Sequence, residues 1–231
     1  MNIAQEAYLK GIRKATIGFS TGKDSLVGLS LLLNAGIETI PIYFYIVPEL
    51  EFVEKSLKRY EELFEINIVR LPHPVLYDYI NHQDWQPVDK AKSMYQVNLG
   101  KITFRLLTNM YLISKELKGF DYDCNCMKMA DSLNRKLVLK NRPDIDEATK
   151  TIYLTKYFST GQIFAYLKNH KIPLSEDYKI FGRSWDGLSY HFSMGVKKFY
   201  PNDFEKIREY FPLIDAEIMR YKIVHYNEFS K

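Results

Sequence analysis

Apolar residues along the chain come in runs of two lengths that alternate. Ala15-Thr16-Ile17-Gly18-Phe19 is short and nearly continuous, which fits a buried strand. Leu26 to Leu33 is longer, stops at Asn34-Ala35-Gly36, and fits a helix with its C-terminal stop. Glu38 to Ile46 predicts a second buried strand, with Pro41 near its beginning or at an irregularity, because proline has no N–H for a ladder. Between Pro48 and Phe64, Leu50, Val53, Leu57, Tyr60 and Phe64 recur at helical spacing. Ile66 to Leu71 reads as a third strand, closed by Pro72-His73-Pro74. This strand–helix alternation argues for a parallel sheet with right-handed crossovers.

Beyond it, Asn81 to Asn98 is polar and weakly periodic around Trp85 and Pro87, the pattern of a long loop or lid. Lys101 to Lys118 predicts a helix with Ile102, Leu106, Met110, Ile113 and Leu117 on its apolar face. A fourth strand is expected over Asp121–Met129, then a helix from Asp131 or Ser132 to Lys140, broken by Asn141-Arg142-Pro143-Asp144. Ile152–Leu154 is a short extended piece, and Thr160–His170 a helix ending before Pro173. Phe181–Gly195 reads as a glycine-rich turn region, and from Pro201 onward as a polar, aromatic helical tail. The expected fold is α/β: an open, mostly parallel twisted sheet with helices on both faces and a helical C-terminal extension. Residues 1–195 would form the main domain, and 196–231 a tail packing on it.

Composition changes this picture little. A 231-residue chain with 46% apolar residues suits a folded domain rather than a disordered one. Its net charge of +4 accommodates an anionic ligand, and no arginine-rich block demands a polynucleotide. The N-terminus lacks a charged-then-apolar signal pattern, and no apolar stretch reaches the roughly twenty residues of a membrane span. Two cysteines one residue apart, Cys124 and Cys126, cannot supply a disulfide framework. A cytoplasmic setting without membrane contact is the expectation; self-association is left open.

The most informative chemistry lies at Ser20-Thr21-Gly22-Lys23-Asp24-Ser25, between the first strand and the first long helix. Free N–H groups and the positive end of the helix dipole meet there, and Lys23 adds a cation while Ser20, Thr21 and Ser25 add hydroxyls. The plainer alternative is a turn capped by Asp24 or Ser25. The spacing is not that of a P-loop: Gly18 and Gly22 are three residues apart, and Asp24 follows Lys23 where that motif has Ser or Thr. A second strand-to-helix junction, Lys128-Met129-Ala130-Asp131-Ser132-Leu133-Asn134-Arg135, should face the same crevice at the strand carboxyl ends.

The first run resembles the PP-loop, Ser-Gly-Gly-x-Asp-Ser, of the ATP pyrophosphatases and the phosphoadenosine phosphosulfate (PAPS) reductase family, with Thr21 where Gly is common. The second is similar to that family's Gly-x-Arg-x-x-Glu-Ser-x-x-Arg segment. Lys128 then stands for the first Arg, Asp131 for Glu, Ser132 for Ser, Arg135 for the second Arg, and Cys126 for Gly. Phe158 to Leu174 resembles the segment that closes the active-site side, and Arg183 and Asp186 follow in a turn, Arg183 as an anion contact.

The resemblance implies an adenine nucleotide alpha hydrolase-like fold that binds ATP or a related adenine nucleotide with Mg²⁺, Asp24 orienting the metal. Lys23, Asp24, Lys128 and Arg135 would be catalytic. Ser20, Thr21, Gly22, Lys23, Asp24, Ser25, Ser132 and Arg183 would hold nucleotide. Adenylation of an acceptor follows, for sulfur transfer or ligation, with a sulfur donor or a nucleic-acid base among the candidate partners. A sulfonucleotide (PAPS or APS) reductase-like protein, or a non-catalytic nucleotide-binding subunit or sensor, is the alternative. The size is similar to small stand-alone members in phage and mobile genomes. Sulfonucleotide reduction needs a C-terminal cysteine, and none follows Cys126; an iron–sulfur cluster needs four cysteines and is not expected. Cys124 and Cys126 fit either a persulfide or redox pair or two small buried strand residues.

Overall fold

In the computed structural model of the chain, the residues described are 1–94, 98–185 and 187–224. The first half runs α1 (Ile3–Leu9), β1 (Lys14–Gly18), α2 (Lys23–Asn34), β2 (Glu38–Tyr45), α3 (Glu51–Phe64), β3 (Val69–Pro72), α4 (Pro74–His82), α5 (Val88–Met94) and α6 (Phe104–Ser114). The second runs β4 (Tyr122–Asn125), a 3₁₀ turn (Met129–Asp131), α7 (Leu133–Lys140), β5 (Ile145–Asp146), β6 (Thr151–Tyr153) and α8 (Thr160–Asn169). It ends with α9 (Asp177–Phe181), α10 (Tyr190–Phe199), α11 (Pro201–Tyr210) and α12 (Ile214–Val224).

The strands form one sheet in the order β3-β2-β1-β4-β6-β5. β1 pairs in parallel with β2 and β4, β4 in parallel with β6, and the edge strand β5 is antiparallel. Helices cover both faces, so the open, mostly parallel α/β sheet expected from the sequence is the one found. A strand covered on both faces needs apolar side chains on both, and Ala15, Thr16 and Ile17 of β1 are all buried. α2 is buried around nearly its whole circumference, from Ser25 to Leu32.

Pro41 is interior to β2, opposite Ile17, not at its start. Phe19 N–H donates to the Ile42 carbonyl, so Ile42 faces β1 and its neighbour Pro41 turns its nitrogen toward β3. Counting back in twos from the His73 N–H to Tyr45 carbonyl bond places Asn67 opposite that nitrogen, two residues before β3 begins. The missing donor therefore falls where there is no ladder to break.

The chain divides into two compact units, each described by itself. The first comprises Met1–Phe44, Leu57–Leu71 and Phe104–Ser175 and contains the sheet's central strands. Within it Phe19 packs edge-on against Tyr60 at 5.7 Å, and the Tyr60 hydroxyl donates to the Pro173 carbonyl at 2.8 Å. Gly28 of α2 permits close packing: a Cβ there would stand 2.3 Å from Cys126 Sγ and 3.2 Å from Ile17 Cδ1. Gly28→Ala is expected to cost about 1–3 kcal/mol by overpacking, and Cys126→Ala in the same chain to recover most of it, both read from urea midpoints.

The second unit comprises Tyr45–Ser56, Pro72–Thr103 and the chain from Glu176. Phe52 stacks on Tyr200 at 4.9 Å and meets Trp185 edge-on at 5.9 Å. Buried Asp203 of α11 accepts from the N–H groups of Glu51 and Phe52 at 2.8 and 3.2 Å, capping α3 from a distant part of the chain. The domain limit expected at residue 195 falls inside α10.

Three expectations differ from the structure. The 81–98 stretch, read as a loop, contains the end of α4 and all of α5, with residues 95–97 outside the described residues. Trp85 ties it down, packing edge-on against Tyr79 and Phe211 while its carbonyl accepts from Leu213 N–H at 2.9 Å. The Phe181–Gly195 turn region enters α10 at Tyr190, and there Gly195 leaves room for a ring: a Cβ would meet Phe181 Cε1 at 2.2 Å. Finally, α6 buries Leu107, Thr108 and Leu112, while the expected core residues Met110 and Ile113 are 57% and 77% exposed.

Candidate nucleotide site

β1 and β4 lie side by side at the point where strand order reverses, and connections leave them in opposite directions along the sheet. In open α/β sheets a crevice forms at such a point, outside the strand carboxyl ends. Both sequence motifs sit there. Residues 19–22 lead from β1 into α2, and residues 126–132 lead from β4 through the 3₁₀ turn into α7.

The α2 N-cap is Gly22, and among the described residues no side chain caps this helix. By contrast, α1 and α8 carry full capping boxes, Asn2 with Gln5 and Ser159 with Gln162. Neither Asp24 nor Ser25 spends its side chain on α2's N–H groups: Ser25 Oγ donates to the Gly22 carbonyl at 2.9 Å and lies 3.3 Å from Ser20 Oγ. A helix start without a side-chain cap is one at which backbone N–H groups can hold an anion.

Thr21, buried at the turn, has φ of +56°, a left-handed conformation unusual for a β-branched residue. This is the place where the resembling motif has glycine, which adopts such a φ without strain. Thr21→Gly is expected to raise stability by about 0.5–1 kcal/mol, seen as a higher urea midpoint at unchanged slope.

Asp24 and Lys128 join the two motifs. Lys128 is fully buried, and its Nζ lies 2.7 Å from Asp24 Oδ2 and 2.8 Å from Asp131 Oδ1. Lys23 Nζ reaches the same Asp24 Oδ2 at 2.9 Å, and Arg135 reaches Asp131 Oδ2 at 2.6 Å. Burial pulls the Lys128 pKa down, but the Asp131 and Asp24 carboxylates more than offset it and hold it above the ordinary lysine value. Burial likewise works against Asp131, yet Lys128 and Arg135 keep its carboxyl below the usual carboxylate range. Asp24 Oδ1 is buried and has no hydrogen-bond partner among the described residues. Ser132 is used locally, as N-cap of α7, accepting from Arg135 N–H at 3.2 Å.

Arg183 belongs to the second unit, where its guanidinium lies 5.6 Å from the Phe192 ring centre; Asp186 lies outside the described residues. Cys124 is buried in β4, and Cys126 lies just past its end against Gly28. Burial pushes both thiols up, away from thiolate reactivity.

One residue at this edge escapes motif reading. Lys156, after β6, is buried, with Nζ 2.8 Å from Asp144 Oδ1 and 2.5 Å from the Arg142 carbonyl. Its own carbonyl accepts from Met129 N–H at 3.0 Å and so fixes the turn after Lys128. Only an isolated Lys in an aromatic stretch marks it in the sequence.

No protein-family model matches the chain, and no curated protein is similar to it in sequence. Solved structures are similar in fold. Candida glabrata FMN adenylyltransferase, in complex with FMN and the ATP analogue AMPCPP, superposes with a TM-score of 0.50 at 10% identity, over 78% of this chain and 58% of that one. The chain thus spans little more than half of that enzyme's length. NH₃-dependent NAD synthetase from Campylobacter jejuni gives 0.47 at 11% identity, covering 94% and 89%. NMN synthetase from Francisella tularensis gives 0.46 at 13%, covering 94% and 91%. At these identities the likeness is one of fold.

Proposed function

We propose that this chain binds ATP at the carboxyl ends of β1 and β4 and transfers its adenylyl group to an acceptor, releasing pyrophosphate. The observation that carries the reading is the Asp24–Lys128 ion pair at 2.7 Å, which fastens the PP-loop-like turn to the second motif beside an uncapped helix start. Phosphate oxygens would take the N–H groups at the start of α2, with Ser20, Thr21, Gly22 and Ser25 forming the turn around them. An acceptor oxygen attacks the α-phosphorus as the bridge to the β-phosphate breaks, and the electron pair leaves with pyrophosphate. Lys23 and the α2 N–H groups stabilise the charge that develops there. An acceptor that is already anionic brings no proton to remove, so no base is required.

The residues fit a divalent cation. A buried carboxylate oxygen with no hydrogen-bond partner, Asp24 Oδ1, is the hard donor that Mg²⁺ takes together with substrate phosphates. When bound, Mg²⁺ would draw charge from the leaving pyrophosphate. Lys128 then serves to position Asp24 rather than to touch phosphate, since both nearby carboxylates already hold it. Arg135 is half-exposed and, with Ser132, is the contact we assign to the far end of the bound nucleotide. The adenylated product would be open to attack by sulfur or an amine, as the PAPS reductase and ATP pyrophosphatase resemblance implies.

Pyrophosphate release from ATP and Mg²⁺, measured with sulfur, amine and carboxylate acceptors, tests this directly. Failure of the chain to bind ATP would overturn it. Binding without pyrophosphate from any acceptor would assign a nucleotide-binding module instead.

A further inference from the structure

α7 follows directly on the candidate site, yet it is held to the body of the protein by a single buried residue, Leu139. Its outer face carries Leu133, Leu137 and Val138, exposed by 71%, 62% and 53%. Residues three and four apart share a helix face, so Leu133 and Leu137 form one crest opposite Leu139, with Val138 at its side. Lys136 and Lys140, also one turn apart and exposed, border this crest on one side, while Arg135, one turn from Leu139, lies on the opposite face and pairs with Asp131. No acidic residue occurs from Ser132 to Pro143, and Arg142 adds a further exposed positive charge. An aliphatic centre with a charged border is the anatomy of a protein–protein contact.

We propose that α7 is a docking helix for an acidic protein segment, one with an apolar centre and a carboxylate rim, which delivers the acceptor to the adjacent site. Charge complementarity selects an acidic partner, because the Lys136 and Lys140 border repels a basic one. The centre selects protein over nucleic acid. α7 has no aromatic ring on which a base could stack, and phosphates would leave Leu133 and Leu137 facing water. The crest is two turns long and offers three aliphatic side chains, far less apolar area than stable membrane anchoring uses. The proposal takes from the adenylation reading only that the acceptor arrives at this edge of the sheet.

The test uses the full chain and a labelled synthetic helical peptide with leucines on one face bordered by glutamates, followed by fluorescence anisotropy. Saturable binding is expected, weakened about tenfold or more by Leu137→Asp and by the pair Lys136→Glu and Lys140→Glu. Raising salt from about 50 to about 300 mM should weaken it further. Leu137→Asp changes an exposed residue and should leave ATP binding as in the unmodified chain. No saturable binding, or equal binding by Leu137→Asp, would overturn the proposal. So would preferential binding of a single-stranded RNA or of phosphatidylserine vesicles. Peptide binding in a chain that fails to bind ATP would fault the adenylation reading and leave this one standing.

Discussion

Lys128→Met is expected to destabilise the protein by about 3 kcal/mol at neutral pH, the largest stability effect of any single change at the site. The substitution fills nearly the same volume but leaves Asp24 and Asp131 facing each other without their shared cation. Loss of one partner of a fully buried pair costs about 3–5 kcal/mol; the two carboxylates here keep 23% and 21% exposure, which places the loss at the low end. The pH dependence follows from Asp131, whose carboxyl is held below the usual range in the folded chain. Its contribution is present above the unfolded value of about 3.9 and is lost as pH falls through the folded one. The deficit of Lys128→Met should therefore narrow as the acid range is entered. Urea midpoints at pH 7 and at about pH 3, below the unfolded value, measure it. Adding Asp131→Asn at pH 7 should restore part of the stability, because one of the two stranded charges is gone. An equal deficit at both pH values would mean that packing, not charge, explains the loss.

Lys23→Ala should do the reverse, leaving the fold intact and removing function. Lys23 is partly exposed, and its ion pair with its sequence neighbour Asp24 is of a kind that contributes little, so its stability effect should stay within about 0.5 kcal/mol. Pyrophosphate release should fall about 10²–10³-fold, the usual result of removing one preorganised charge donor from a developing oxyanion. Lys23→Arg keeps the charge but not its compact shape, and should recover only part of the rate. A Lys23→Ala chain that binds ATP and releases pyrophosphate like the unmodified one would falsify the site assignment.

Local signals made some of this molecule legible. The run before Ser20 is strand and the run after it helix because one is short and the other long, and the structure begins α2 at Lys23, right after the glycine. The helix expected over Thr160–His170 is α8, and at its start both reciprocal bonds of a Ser159–Gln162 capping box form. Long-range packing hid other parts. Residues 81–98 have weak periodicity because Trp85 and Phe211, far apart in sequence, provide the order there. In α6 two apolar faces compete: Leu107 with Leu112, and Met110 with Ile113. Periodicity sees both, and only the sheet beneath decides which is buried. Asp203 shows the same limit, since nothing near it in sequence indicates that it caps α3.

The candidate site divides along the same line. By itself the sequence determined the parts: a strand, a small turn carrying Lys23 and Asp24, a helix, and a second strand-to-helix junction carrying Lys128 and Asp131. Those are consequences of spacing and residue type within a few residues, and short-range sterics enforce them. Tertiary structure alone decided that β1 and β4 are neighbours, although more than a hundred residues separate Thr16 from Asp123. That pairing buries Lys128 between two carboxylates and leaves Asp24 Oδ1 without a hydrogen-bond partner among the described residues. Burial and partner geometry depend on the whole sheet. They make Lys128, expected from the resemblance as a catalytic residue, the cation that Asp24 and Asp131 share.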